Sequence, residues 1–429
     1  MMSILAAALL LTTARAALAP VRQWADFSSA LGHNRTCTRR GGMVCGLSDD
    51  EAAYVASTYD VVSIEKCFGT GPGAEDRTMA NFVATAAQLK ASNERTKVLF
   101  YWNARVAGPP RCYEAAFGAE LLAHPDWWLR RDDGKALCVG PGERTPVCDD
   151  DDMTWPYVDF SVRAAADWWV AAPLAARDEA GANMSGVFFD SCDHWDWTLW
   201  SNVSESKAAA WAEGQRAALK RARDGLKARD ADAFVVGNGF GAKNDTYLVD
   251  LVLGDVLDGL CAEHLGAFEW VEDRHTGAVN ASVAALWLDA TRKLPPEAPL
   301  LVKTWVGPEI TPIDADGPRW PRHFRDPATN ATLRNRTDAG VRRAATDLAT
   351  YALAAYLCLA TAGSYFSYGW WYDVSQGPLW RVDQLDVAVG EPLGPPEFAG
   401  LACRRDYEGA AVSVDLARWD SAAIVPKGT

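Results

Sequence analysis

Short apolar runs alternate with longer stretches of helical period along this chain. Eight runs read as strands: Val61–Glu65, Val98–Trp102, Tyr157–Phe160, Gly186–Asp190, Phe234–Asn238, Gly259–Glu263, Leu300–Trp305 and Ser364–Tyr368. Several are β-branched or aromatic, as expected of parallel strands buried on both faces. Helical stretches are expected at Thr78–Ala91, Val162–Ala180, Glu205–Arg229 and Ala339–Ala362. Ser161 should cap the second of these, Gly181 should end it, and Pro173 should kink or split it. The alternation predicts an α/β chain: a (β/α)8 TIM barrel with long βα loops over residues 17–395 and a small C-terminal β element over 396–429. A doubly wound open sheet is the runner-up.

Two long loops, 104–156 and 306–338, exceed what a minimal barrel needs and read as binding walls, lids or decoration. Residues 4–11 form an apolar run followed by small residues, which reads as a signal peptide over 1–16, cleaved after Ala16, although residues 1–3 carry no Lys or Arg. No second long apolar segment exists, so no membrane span is expected. The ten cysteines then become disulfide candidates, with Cys37 and Cys45, and Cys138 and Cys148, close in sequence. Sequons at Asn34, Asn183, Asn202, Asn244, Asn280, Asn330 and Asn335 fit a secretory route ending in the secretory lumen or outside the cell.

The net charge of −14 argues against nucleic acid as a partner. Nineteen Trp are many for this length, and some would suit stacking on sugar rings, although core packing is the ordinary use. Weak signals are set aside. Gly237–Ala242 only loosely matches a dinucleotide fingerprint, and Asp149–Asp152 lacks the spaced ligands of a calcium loop. Neither HExxH nor HxH occurs, which argues against a zinc hydrolase, and no GxSxG elbow occurs, which argues against a serine hydrolase of the α/β type; no metal and no cofactor is expected.

In a barrel of this kind reacting groups sit at the C-terminal strand ends. Glycosidic cleavage needs one carboxyl as acid and one carboxylate as nucleophile or base. Asp190 ends an apolar strand, where a carboxylate is costly without a use or a partner. Glu263 supplies a second acid two strands on, beside His264. The plainer readings are that Asp190 caps a loop or pairs with Lys66 or Lys303, and that Glu263 makes a structural ion pair. Asp193 or Glu65 could be the true partner of Asp190. Trp102, Trp305, Trp370 and Trp371 are candidates for stacking on sugar faces, and Asn103, Asn238, Lys303 and Tyr368 for bonding hydroxyls, unless they only brace the barrel mouth. Tyr101, Lys66 and His264 complete the candidate binding set.

The segments YDVVSIEK (59–66), KVLFYWN (97–103), HPDWWL (124–129), YVDFS (157–161), GVFFDS (186–191), VVGNGF (235–240), DGLCAEH (258–264) and YFSYGWW (365–371), with LGPP (393–396) and RRDYEGAAVSV (404–414), carry a resemblance. Together they resemble the hypothetical glycosyl hydrolase family 15 over roughly residues 55–425, and more distantly α-galactosidase-type and polygalactosaminidase-type barrels. The resemblance implies Asp190 as nucleophile or base and Glu263 as general acid. The expected activity is hydrolysis of O-glycosidic bonds in a poly- or oligosaccharide. A sugar-binding barrel without catalysis is the alternative, and a transglycosylase a third. Carboxyls about 5 Å apart would point to retention and about 6.5–9.5 Å to inversion.

Overall fold

The computed structural model of the protein describes residues 21–27, 38–39, 43–44, 47–65, 68, 78–106, 115–139, 155–192, 202–239, 247–263, 265, 271–273, 278–279, 281–305, 339–369 and 382–427. Eight parallel strands form one sheet in chain order. They are β1 (Trp24–Phe27), β2 (Val61–Ile64), β3 (Lys97–Asn103), β4 (Gly186–Asp190), β5 (Phe234–Asn238), β6 (Gly259–Ala262), β7 (Leu300–Trp305) and β8 (Ser364–Gly369). The sheet closes where Gln23 bridges Phe366, whose N–H donates to the Arg22 carbonyl at 3.0 Å. The helices are α1 (Asp49–Thr58), α2 (Thr78–Ser92), α3 (Ala115–Ala123), α4 (Arg163–Ala180), α5 (Glu205–Arg229), α6 (Tyr247–Leu253), α7 (Ala281–Lys293) and α8 (Ala339–Leu359). The fold is thus a (β/α)8 barrel, with no described helix long and apolar enough to cross a membrane.

One expected strand is absent from the barrel and one barrel strand was not expected. Tyr157 and Val158 make antiparallel bridges to Val106 and Trp128 instead of joining the barrel sheet. The missing stave is β1, only four residues long and interrupted by Asp26, which hides its apolar character. One stave replaces the other, so the strand count is unchanged. Asp190 still ends the fourth strand and Glu263 still follows the sixth.

Alternation sorts side chains between lumen and helix layer. Trp24 stacks on Phe188 and Phe188 on Tyr101, marking the inner faces of β1, β4 and β3. Phe366 packs on Tyr356 of α8, marking the outer face of β8. Gly186 and Gly259 open the strands that lead to Asp190 and Glu263. A Cβ on Gly186 would lie 1.9 Å from the Phe234 carbonyl oxygen, and one on Gly259 2.0 Å from that of Pro299. Only glycine lets the neighbouring chain enter so closely.

The longest helix shows why the outer layer holds. In α5 the buried residues Trp211, Gln215, Ala218, Leu219, Ala222 and Leu226 recur at helical spacing. Trp211 Nε1 donates to the Val158 carbonyl and Gln215 Nε2 to that of Ala104. Helix α4 departs from expectation at its start: Val162 is the N-cap, and the Ser161 hydroxyl instead donates to Asp159 Oδ1 at 2.6 Å. Pro173 does not split the helix. A proline removes one ladder donor, and the buried face of α4 around Pro173 keeps the element whole.

Residues 397–426 form a four-stranded antiparallel sheet, β9 (Glu397–Ala399), β10 (Ala402–Asp406), β11 (Ala410–Asp415) and β12 (Ala423–Pro426). It is fastened to α8 by the Cys358–Cys403 disulfide and by phenols. Tyr407 donates to the Leu357 carbonyl at 2.7 Å, and Tyr351 to that of Leu416 at 2.8 Å. Cys138 is also disulfide-bonded, whereas Cys37, Cys45 and Cys148 lie outside the described residues.

Candidate active site

Asp190 sits at the last position of β4, in register with Asn103 of β3. Its carboxylate is met by four donors. The Tyr101 hydroxyl donates to Oδ2 at 2.5 Å and Asn103 Nδ2 to the same oxygen at 3.2 Å. Asn238 Nδ2 and the Ser191 N–H both donate to Oδ1 at 2.8 Å. Ser191 reaches this position by adopting a φ of 57°, a left-handed backbone that a serine takes only at some cost. Every oxygen of Asp190 thus accepts, which suits an ionised carboxylate.

The donors are themselves held. Asn103 Oδ1 accepts the N–H groups of Arg105 and Val106 at 2.9 and 2.8 Å, which turns Nδ2 toward Asp190. The Asn103 carbonyl accepts from Trp169 Nε1 of α4 at 2.8 Å. The Asn238 carbonyl accepts from the Cys192 N–H at 2.7 Å, joining the ends of β5 and β4.

Glu263 lies in the turn after β6, half-buried like Asp190. Asn238 Nδ2 donates to Glu263 Oε2 at 2.7 Å as well as to Asp190 Oδ1. One amide nitrogen therefore bridges the two acids. Their bonded oxygens can be no more than about 5.5 Å apart.

The family model for the hypothetical glycosyl hydrolase family 15 matches residues 90–411, and that span contains all of these residues. The chain belongs to the hypothetical glycosyl hydrolase family 15. No curated protein matches the sequence. Solved structures to which the chain is similar include the ligand-free cyclic α-maltosyl-(1→6)-maltose hydrolase from Arthrobacter globiformis, at 13% identity over 95% of this chain and 96% of that one, TM-score 0.49. The acarbose-soaked debranching enzyme of Nostoc punctiforme is similar at 11% identity over 93% and 91%, TM-score 0.48. An α-galactosidase from Thermus thermophilus is similar at 14% identity over 93% and 68%, TM-score 0.44. The protein is a glycosidase by family.

Beneath the acids, this chain of the hypothetical glycosyl hydrolase family 15 carries an ion pair. Lys303 of β7 donates to both carboxylate oxygens of Asp26 on β1, each at 2.6 Å, and both side chains are 3% exposed. Burial pushes the Asp26 carboxyl above its usual range against the pull of Lys303, and the charge of Glu263 adds to the rise. The Cys261 thiol, inside the same barrel, is likewise pushed well up by burial, with Glu263, Asp26 and Asp190 adding to it. Asp26 lies in the short strand whose apolar pattern it interrupts. The available signal was Lys303, a cation inside an apolar strand that needs a buried acid opposite it.

The other candidates separate by strand face. Tyr101, Asn103 and Asn238 share the lumen with Asp190 and Glu263. Glu65 follows β2 at the parity of Ser63, the register partner of Asp26, and is 3% exposed. Trp102 has the opposite parity to Tyr101 and packs against Trp168 of α4, centroids 6.0 Å apart, so it braces the helix layer rather than the mouth. Tyr368 shares the outer parity of Phe366 and is buried. Lys303 is engaged by Asp26 rather than open to a ligand. The side chain of Trp305 and residues Lys66, Asp193, His264, Trp370 and Trp371 lie outside the described residues.

Proposed function

We propose that the protein hydrolyses O-glycosidic bonds of a poly- or oligosaccharide with retention, using Asp190 as nucleophile and Glu263 as acid and base. The observation that carries this is the shared amide: Asn238 Nδ2 holds Asp190 Oδ1 at 2.8 Å and Glu263 Oε2 at 2.7 Å in a half-buried setting at the ends of neighbouring staves. Such close pairing of the bonded oxygens favours retention and suits attack by Asp190 itself. Asp190 attacks the anomeric carbon while Glu263 gives its proton to the departing oxygen. Glu263 then takes a proton from water as the glycosyl–Asp190 ester is hydrolysed. Four donors hold the attacking carboxylate in one orientation, so little reorganisation is left for the reaction.

The short apolar leader and the sequons support export into the secretory lumen or beyond. Among the described sequons, Asn202 is exposed and accessible for a glycan.

The test is turnover on a panel of 4-nitrophenyl glycosides and oligosaccharides, with product anomers followed by proton NMR. Asp190→Asn and Glu263→Gln should each lower the rate by several orders of magnitude with melting preserved. Sugar binding without turnover, unchanged in Asp190→Asn, would leave the carbohydrate-binding barrel standing instead. First-formed product of inverted configuration would remove Asp190 from the nucleophile role.

A further inference from the structure

We infer that Asn238 is a positioning residue that fixes both the spacing of the two acids and the oxygen of Glu263 that carries the catalytic proton. This deepens the reading above and rests on its choice of Asp190 and Glu263.

The side-chain amide nitrogen is a donor with two hydrogens and no acceptor capacity. Both hydrogens are committed, one to Asp190 and one to Glu263. The reverse orientation of the amide would set Oδ1 against two carboxylate oxygens, so the network itself decides which way the group points. That orientation has a cost. Asn238 is 4% exposed, and its Oδ1 is buried with no donor among the described residues. Buried acceptors are normally paired. A side chain that leaves one unpaired in order to serve two acids points to use rather than to packing.

The clamp has a directional consequence. Oε2 of Glu263 accepts from Asn238, and a carbonyl-type oxygen accepts more strongly than a hydroxyl one, so the bond favours the acid proton on Oε1. The Asn238 carbonyl accepts from the Cys192 N–H, which fixes the backbone from which the amide projects. Gly239, with a φ of 120°, lets the chain turn off immediately after it.

Among the described residues, the titratable groups that face the pair include Tyr101 from β3, Cys261 on β6, Lys303 on β7, Asp26 on β1 and Glu65 after β2. A donor shared by two carboxylates favours the ionised form of each. Removing it should therefore move both in the same direction.

The experiment compares wild type with Asn238→Ala and Asn238→Leu, using near-ultraviolet circular dichroism to establish packing. Side-chain carboxyl carbon-13 titrations of Asp- and Glu-labelled protein, assigned with Asp190→Asn and Glu263→Gln, give a readout that needs no substrate. Both midpoints should rise together in the Asn238 variants. On any glycoside the wild type turns over, kcat should fall about 100-fold, with little change in KM and both limbs of the pH profile moved to higher pH. Two well-packed variants with unmoved midpoints, or a rise confined to one acid, would overturn the inference. Full turnover in Asp190→Asn would instead remove the catalytic reading, while the titrations would still report on the clamp.

Discussion

The hydroxyl of Tyr101 donates to Asp190 Oδ2 at 2.5 Å, from a ring that stacks on Phe188 two residues before the carboxylate it serves. Donor and acceptor lie on adjacent strands in fixed register, so the bond is built into the sheet rather than into a loop. Tyr101→Phe should keep the stack and lose the bond. A hydrogen bond to a charged group contributes about 1.5–3 kcal/mol, so kcat should fall about 10- to 100-fold with melting nearly unchanged. Unaltered kcat on a substrate whose turnover depends on Asp190 would show that the phenol is only packing.

The Asp26–Lys303 pair is sealed in the barrel, and its stability effect should be asymmetric. Lys303→Met leaves a buried carboxyl beside Glu263 without its cation and should cost about 3–5 kcal/mol in urea unfolding. Replacing both partners, as Lys303→Met with Asp26→Leu, should recover most of that loss, because the desolvation cost of both charges disappears. Equal losses in single and double variants would mean that volume, not charge, governs the site.

The C-terminal sheet should loosen in alkali. Burial pushes the Tyr407 phenol up to about 12 from its ordinary value of 10.0. The folded protein therefore favours the neutral phenol, whose hydroxyl bonds the Leu357 carbonyl. This contribution is whole below pH 10 and is lost as pH rises from there through about 12. Tyr351 of α8, also buried, is raised in the same direction. Melting temperature followed from pH 8 to 12 should fall across that window, and Tyr407→Phe should flatten part of the drop.

Cys358 and Cys403 close a loop of 45 residues between α8 and β10. By chain entropy such a closure contributes about 4 kcal/mol. A Cys358→Ala, Cys403→Ala variant should unfold at correspondingly lower denaturant, with the earliest amide exchange in residues 397–426. A loss shared evenly by barrel and sheet would show that the two unfold as one body.

Most staves were legible because their runs are apolar and end in a polar residue, as Gly186–Asp190 and Phe234–Asn238 do. The stave that was missed contains its polar residue in the middle. Asp26 serves a cation nearly three hundred residues away, a pairing that no local pattern encodes. The site was half legible for the same kind of reason. Strand ends announce Asp190, Asn238 and Asn103, but a strand end alone does not tell lumen from outer face: Trp102 packs on Trp168 of a helix, and Tyr368 has the outer parity of Phe366. The bridging role of Asn238 depends on lumen geometry across β4, β5 and β6, which spacing along the chain does not contain.

The seam between Gln23 and Phe366 bears on how the molecule is made. The first stave to leave the ribosome has no second neighbour until nearly the whole chain has followed it. Throughout synthesis β1 presents an open, hydrogen-bonding edge, and Asp26 has no lysine. Such edges recruit other chains, and contacts this distant in sequence form slowly. The vulnerable species in production of this protein is therefore the nearly finished, unsealed polypeptide, and slower growth at lower temperature should raise soluble yield more than any change at the surface of the completed fold.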